Sequence, residues 1–231
     1  MSPRPFTWRG VRQGWRAAGP LAIGVAAYGL MFGVLSAGVG MSAMEATLLS
    51  TFVYSGSAQL ALVQSWTPEV STTALVMTVL VVNARYIVYG ATLRPWLEGL
   101  GGIRIGSSLV VMGDANWALS LRQFEDGDDD IGFLFGSGLV MFVPWVVSTA
   151  VGHVMGQSIR DPSTFGLDFM FVAFSAALGI AMWRGSGDVW NAIAALLTAG
   201  AMAAAGLEVW AVIAAGVSSG AIASYRHVDE R

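Results

Sequence analysis

Few residues in this chain can do chemistry, and most of those stand in apolar surroundings. Asp114 lies in the run Ile105–Leu121, nine positions from one end and seven from the other. That is roughly 10 Å from either end at a rise of about 1.5 Å per residue. An Asp side chain cannot reach so far. It is either the structural partner of an arginine or a group that takes up and releases a proton. Arg85 is the one charge in Val70–Leu93, eight residues from Leu93 and thus roughly 12 Å along a helix. It either snorkels toward the interface or turns inward. Turned inward, its forked donors suit a carboxylate, that of Asp114 or of a ligand. Tyr89 shares its helical face. A charge at the centre of a bilayer costs about 2.5–3.5 kcal/mol on insertion scales, so both residues are candidate functional groups.

Neutral hydrogen-bonding groups accompany them. Ser55, Gly56, Ser57 and Gln59 form one cluster and Asn83 precedes Arg85 by two. These serve as interhelical hydrogen bonds or, if the helix breaks near Gly56, as part of a ligand site. The N–H groups of the following half-helix could then hold an anionic group. His153 has no histidine neighbour in an apolar run, because His227 lies in the tail, so a core histidine is expected. No metal site and no cofactor is expected. Gly216-Val217-Ser218-Ser219-Gly220 matches the G-x-S-x-G nucleophile pattern, but that elbow needs a strand–turn–helix context. A Ser218–His153 hydrolase is therefore a minor alternative to a Gly-xxx-Gly packing motif. The segment 122–130, RQFEDGDDD, reads as a solvated loop and lacks the spacing of a calcium loop.

The elements that position these residues follow from composition. Of 231 residues, 55% are hydrophobic and 12% charged, against about 25% charged in soluble domains. That excludes a soluble globular protein. There is no Cys, so disulfides are excluded. Apolar stretches run from Ala17 to Met44, Ala46 to Pro68, Val70 to Leu93, Ile105 to Leu121, Ile131 to Ile159 and Leu167 to Trp183. A last one, Val189 to Ser224, divides into two. About 20 residues span a bilayer, and no alternation of period two competes. The expected fold is an all-α polytopic membrane protein with about seven or eight membrane segments and a broken helix near Gly56. Residues 1–16 form a basic N-terminal segment in the cytoplasm, 17–225 one transmembrane helical domain, and 226–231 a polar tail.

Arg4, Arg9, Arg12 and Arg16 place the N-terminus inside. Simple crossings put Arg94, Arg104 and Arg160 outside. A re-entrant 46–66 returns them inside and sends the acidic 125–130 loop out. Trp66, Trp96 and Trp183 fit an aromatic belt. Glycines four apart, such as Gly29/Gly33 and Gly152/Gly156, suit close helix packing.

Three stretches carry a resemblance: GPLAIGVAAYGLMFGVL (19–35), FVYSGSAQLALV (52–63) and VVNARYIVYGATLRP (81–95). Together with Met112-Gly113-Asp114-Ala115-Asn116-Trp117-Ala118, Trp145, Gly152, Gly156 and 161–169, they resemble the large subunit of AzlC-type branched-chain amino acid permeases. The residue after Asp114 is Ala115, where the family's fourth segment carries a second carboxylate. The resemblance implies a non-enzymatic secondary transporter in the inner membrane, exporting Leu, Ile, Val, Met and related neutral amino acids. It also implies a small AzlD-like membrane subunit as partner and coupling to protons. A passive channel is the alternative. Ser55, Gly56, Ser57, Gln59, Asn83 and Arg85 would bind substrate, with Asp114 as the coupling group.

Overall fold

The computed structural model describes residues 4–67, 69–158 and 185–229, with the isolated positions 176, 180 and 183. The sixth apolar stretch, Arg160 and the 161–169 motif lie outside the described residues. Among the described residues all regular structure is helical.

The frame is a pair of long helices, α1 (Trp8–Gly38) and α8 (Gly132–Gly156). They run parallel: Gly136 packs on Val11, Gly29 on Trp145, and Gly152 on Leu30. A Cβ at Gly152 would overlap the carbonyl oxygen of Leu30, and one at Gly33 that of Thr149. Glycine spacing thus brings two backbones together, as apolar burial cannot do in lipid. Asp130 ties their starts. It is 8% exposed and accepts from Thr7 N at 3.0 Å, Gly132 N at 2.9 Å and the Thr7 hydroxyl, while Arg4 pairs with Asp129.

The third span comprises α4 (Thr72–Asn83) and α5 (Arg85–Leu97), 26 residues interrupted for one turn at Ala84. Ala84 keeps right-handed helical dihedrals (φ −55°, ψ −25°), so the axis carries on through the interruption. Its end lies at the start of α8: Leu93 and Leu97 share a buried cluster with Ile131 and Leu134.

The second apolar stretch is two half-helices, as the Ser55-Gly56-Ser57 motif led us to expect. α2 (Ala43–Phe52) and α3 (Gly56–Ser65) meet at Tyr54, whose φ is 39°, and at extended Ser55. A straight helix would separate residues 50 and 59 by about 13 Å. Instead Gln59 Nε2 donates to Ser50 Oγ at 3.0 Å, so the chain bends sharply. α2 follows the far end of α1, and α3 leads into the far end of the α4–α5 span. Both ends of this unit therefore lie at the far face, and it re-enters.

The fourth apolar stretch, expected as one segment, is also broken. α6 (Gly102–Val110) and α7 (Asp114–Glu125) meet at residues 111–113, and at nine and twelve residues neither half can cross alone. Arg104, at the start of α6, sits over the Phe6 ring at 5.7 Å, and Phe124, at the end of α7, stacks on Trp96 at 5.3 Å. Both ends thus lie at the face where α1 starts. The acidic loop stays on the N-terminal face, against the expectation that it would be sent across. The reversal at Gly113 is the reason. Nor is that loop wholly solvated, given the buried position of Asp130.

α9 (Asp188–Ala204) and α10 (Glu208–Asp229) pack as a pair at the end of the chain. Among the described residues, spans α1, α4–α5 and α8 and the α9–α10 pair accompany two hairpins that enter from opposite faces.

Candidate functional site

The two hairpin tips meet the middle of the α4–α5 span. Arg85 is thirteen positions past Thr72 and twelve before Leu97, hence at mid-depth. Its Nη2 lies 3.0 Å from Asp114 Oδ2, on the tip of α6–α7, and donates to Ser55 Oγ at 3.1 Å, on the tip of α2–α3. One guanidinium nitrogen thus joins both hairpins. The tips also touch directly, since a Cβ at Gly113 would lie 3.2 Å from the Tyr54 ring. The ion-pair side chains are only partly buried, 21% and 33% exposed.

The broken helix frees carbonyls that must be satisfied in a bilayer. Tyr86 of α5 donates to the freed Tyr54 O at 3.1 Å, while Tyr28 of α1 donates to Gly56 O, in the first turn of α3, at 2.7 Å. Ser55, the N-cap residue of α3, makes no capping bond with its side chain. Its hydroxyl accepts from Arg85, which leaves the first N–H groups of α3 open toward the centre. At the second break, Asn116 Oδ1 accepts from Gly113 N at 2.6 Å, and Asn116 Nδ2 donates to Leu134 O at 3.3 Å. Asp114 occupies the first turn of α7, where a negative charge complements the helix dipole.

Aromatic rings enclose the junction. Tyr89 stacks on Trp117 at 4.1 Å, Tyr86 meets Tyr89 edge-on at 5.4 Å, and Arg85 lies over Tyr86 at 5.7 Å. On the α8 side, Trp145 stacks on Tyr28 and receives Tyr54 edge-on.

Eight buried side-chain polar atoms have no hydrogen-bond partner among the described residues. Five belong to the residues singled out from sequence: Ser57 Oγ, Gln59 Oε1, Asn83 Oδ1, Arg85 Nε and Asp114 Oδ1. Such atoms are costly unless something completes them. Ser55, Gly56, Ser57, Arg85 and Asp114 are gathered at the junction, and Asn83 ends α4 just before the interruption at Ala84. Gln59 is set back, fully buried, and linked through Ser50 to Thr149 Oγ1 of α8, which lies 2.7 Å from Ser50 Oγ.

Sequence reasoning missed Tyr28, Tyr54 and Tyr86 as the residues that support the break, and Gly113 as a second break. The signal for Gly113 was a glycine followed at three residues by Asn116, a helix-start pattern inside an apolar run. His153 is a buried core histidine, its Nδ1 3.0 Å from Ser36 Oγ. Ser218 donates to Ala215 O and accepts from Thr198 at 2.9 Å, so neither side chain engages the other. Among the described residues nothing lies within 4 Å of a Cβ built at Gly216 or Gly220.

Broken helices gathered on one ion pair at mid-depth define a polytopic helical membrane protein with a central polar site. The family model described as AzlC protein matches residues 20–159, more than half of the chain, and the chain belongs to that family. It is 25% identical over 201 residues to the branched-chain amino acid transport protein AzlC of Bacillus subtilis, covering 85% of this chain and 77% of that protein. It is also similar to an uncharacterized membrane protein of Helicobacter pylori, 24% identical with 74% of each chain covered. Another such protein, from Archaeoglobus fulgidus, is 26% identical over 64% of each. No solved structure matches the chain.

Proposed function

We propose that the protein is a secondary transporter, not an enzyme, that exports branched-chain and related neutral amino acids and is coupled to protons. The observation that carries this reading is the Arg85–Asp114 pair, 3.0 Å apart at mid-depth with a hydrogen-bonding atom of each residue unused. A neutral amino acid is a zwitterion whose two ends match the two members of that pair. In the empty site the charges neutralise one another. On binding, the substrate carboxylate takes Arg85 and its ammonium takes Asp114. No charge is then left unpaired, so the substrate enters with little desolvation loss. Ser57, in the first turn of α3, adds a neutral acceptor, and the Tyr86, Tyr89 and Trp117 rings offer apolar surface for the substrate side chain. Asp114 carries the coupling proton in the empty return. The B. subtilis relative, by its name, supports amino acids as the substrate class.

The face bearing Arg4, Arg94 and Arg104 is cytoplasmic on this reading, because basic residues outweigh acidic ones in setting orientation. The inner membrane is the location, and a small AzlD-like membrane subunit is the partner. Counterflow of labelled leucine in proteoliposomes, with and without that subunit, is the test. Counterflow that requires the subunit is expected. An equal rate from the chain alone would remove the partner, and no counterflow in either case would remove the substrate class.

A further inference from the structure

We infer that the two hairpins are the two gates of the transport path and that Arg85 is the latch closing both. This rests on the reading of the Arg85–Asp114 pair as the transport site. The hairpins enter from opposite faces: α2–α3 from the face where α1 ends, α6–α7 from the face where α1 starts. Each half-helix is short, and each tip reaches only mid-depth. Apart from the links of Gln59 and Ser50 to Thr149 and of Asn116 to Leu134 O, four polar ties hold the tips around the ion pair. Arg85 Nη2 binds Ser55 at 3.1 Å and Asp114 at 3.0 Å. Tyr86 OH holds Tyr54 O and Tyr28 OH holds Gly56 O, so three of the four ties grip the α2–α3 hairpin and one grips α6–α7.

The geometry makes the ties and the ligand compete. A substrate carboxylate at Arg85 takes donors that Ser55 uses, which loosens α2–α3 and opens the far face. A proton on Asp114 in the empty return weakens its hold on Arg85, which loosens α6–α7 and opens the N-terminal face. The frame does not need to move, because the glycine seam between α1 and α8 is independent of these ties. Tyr54 assists the switch, since its left-handed φ of 39° is a strained conformation that persists only while its surroundings hold it.

The chain has no Cys, so single cysteines report cleanly. Ser57→Cys marks the α2–α3 tip and Ala115→Cys the α6–α7 tip. Each is placed in membrane vesicles of known orientation and treated with a membrane-impermeant thiol reagent, without amino acid. In the parent background both react slowly. With Arg85→Gln added, Ser57→Cys reacts faster from the far face only, and Ala115→Cys from the N-terminal face only. The acceleration is on the order of tenfold, the shift expected from losing one charge-assisted hydrogen bond. Tyr86→Phe, a milder change that guards against misfolding, accelerates Ser57→Cys and leaves Ala115→Cys unchanged. Reaction of both cysteines from the same face, or no acceleration by either change, would overturn the two-gate arrangement. The readout needs no substrate, so a failure of leucine counterflow leaves it standing and its failure leaves counterflow standing.

Discussion

The α1–α8 seam and the hairpin junction are both buried and both built from backbone approach, but they solve opposite problems. At the seam, glycines let two continuous helices pack backbone to backbone, and apart from the positions facing Pro20 and Pro144 the backbone bonds stay within each helix. At the junction, helices are broken, and side chains hold the backbone there: Tyr28 and Tyr86 from other elements, and Asn116 from the first turn of α7 itself. The seam depends on shape, the junction on a few polar bonds worth about 1–2 kcal/mol each. A region of the first kind has one arrangement. A region of the second kind can exchange a protein partner for a ligand. In the proposed transport cycle the seam supplies the frame against which that exchange takes place.

Substitutions separate the two. The largest effect is expected at the seam. Gly152→Leu drives a side chain into the Leu30 carbonyl, and overpacking of backbone against backbone costs about 3 kcal/mol or more. Recovery of folded protein in detergent, by size exclusion, should collapse. Arg85→Gln comes next. It removes charge-assisted bonds to Asp114 and Ser55, with a loss of about 1.5–3 kcal/mol. The thermal unfolding temperature should fall moderately, while leucine counterflow drops to background. Arg85→Lys keeps the charge and loses the fork, so counterflow should fall but remain measurable. Tyr86→Phe leaves the Tyr54 carbonyl without its donor, at about 1–2 kcal/mol, and should change the transport rate more than the folding yield. The smallest effect belongs to Ser42→Ala. It removes the cap of α2 at the far face, where Ser42 Oγ accepts from Glu45 N at 3.2 Å. The cost there is about 1 kcal/mol, with transport unchanged.

The contrast also explains what was legible in the sequence. Arg85 and Asp114 stood out because charge in an apolar run is costly wherever the run folds. The break at Tyr54–Ser55 was readable because five polar or small residues crowd one short stretch, 54–58. The break at 111–113 was not, because Gly113 is one of two glycines in Ile105–Leu121, and glycine is ordinary in membrane helices. What turns it into a reversal is Asn116, whose hold on Gly113 N is a local bond, and the packing of Val111 on Gly138, which is not local. The side on which residues 125–130 emerge depends on that reversal, so the error about the loop followed from the missed break. Asp130 was read as one more solvated carboxylate because its partners, Thr7 N and the Thr7 hydroxyl, lie 123 positions away in sequence. The glycine pairs Gly29/Gly33 and Gly152/Gly156 were legible as packing positions, though not as facing one another.

The central claim is that the Arg85–Asp114 pair handles both the zwitterion and the coupling proton. The most direct measurement is leucine export from vesicles containing Asp114→Asn, with a proton gradient imposed. Asn keeps the shape and one acceptor but cannot carry a proton or balance an ammonium. The account expects gradient-driven export at background, with the variant folded as judged by thermal unfolding. Export at the wild-type rate would contradict it.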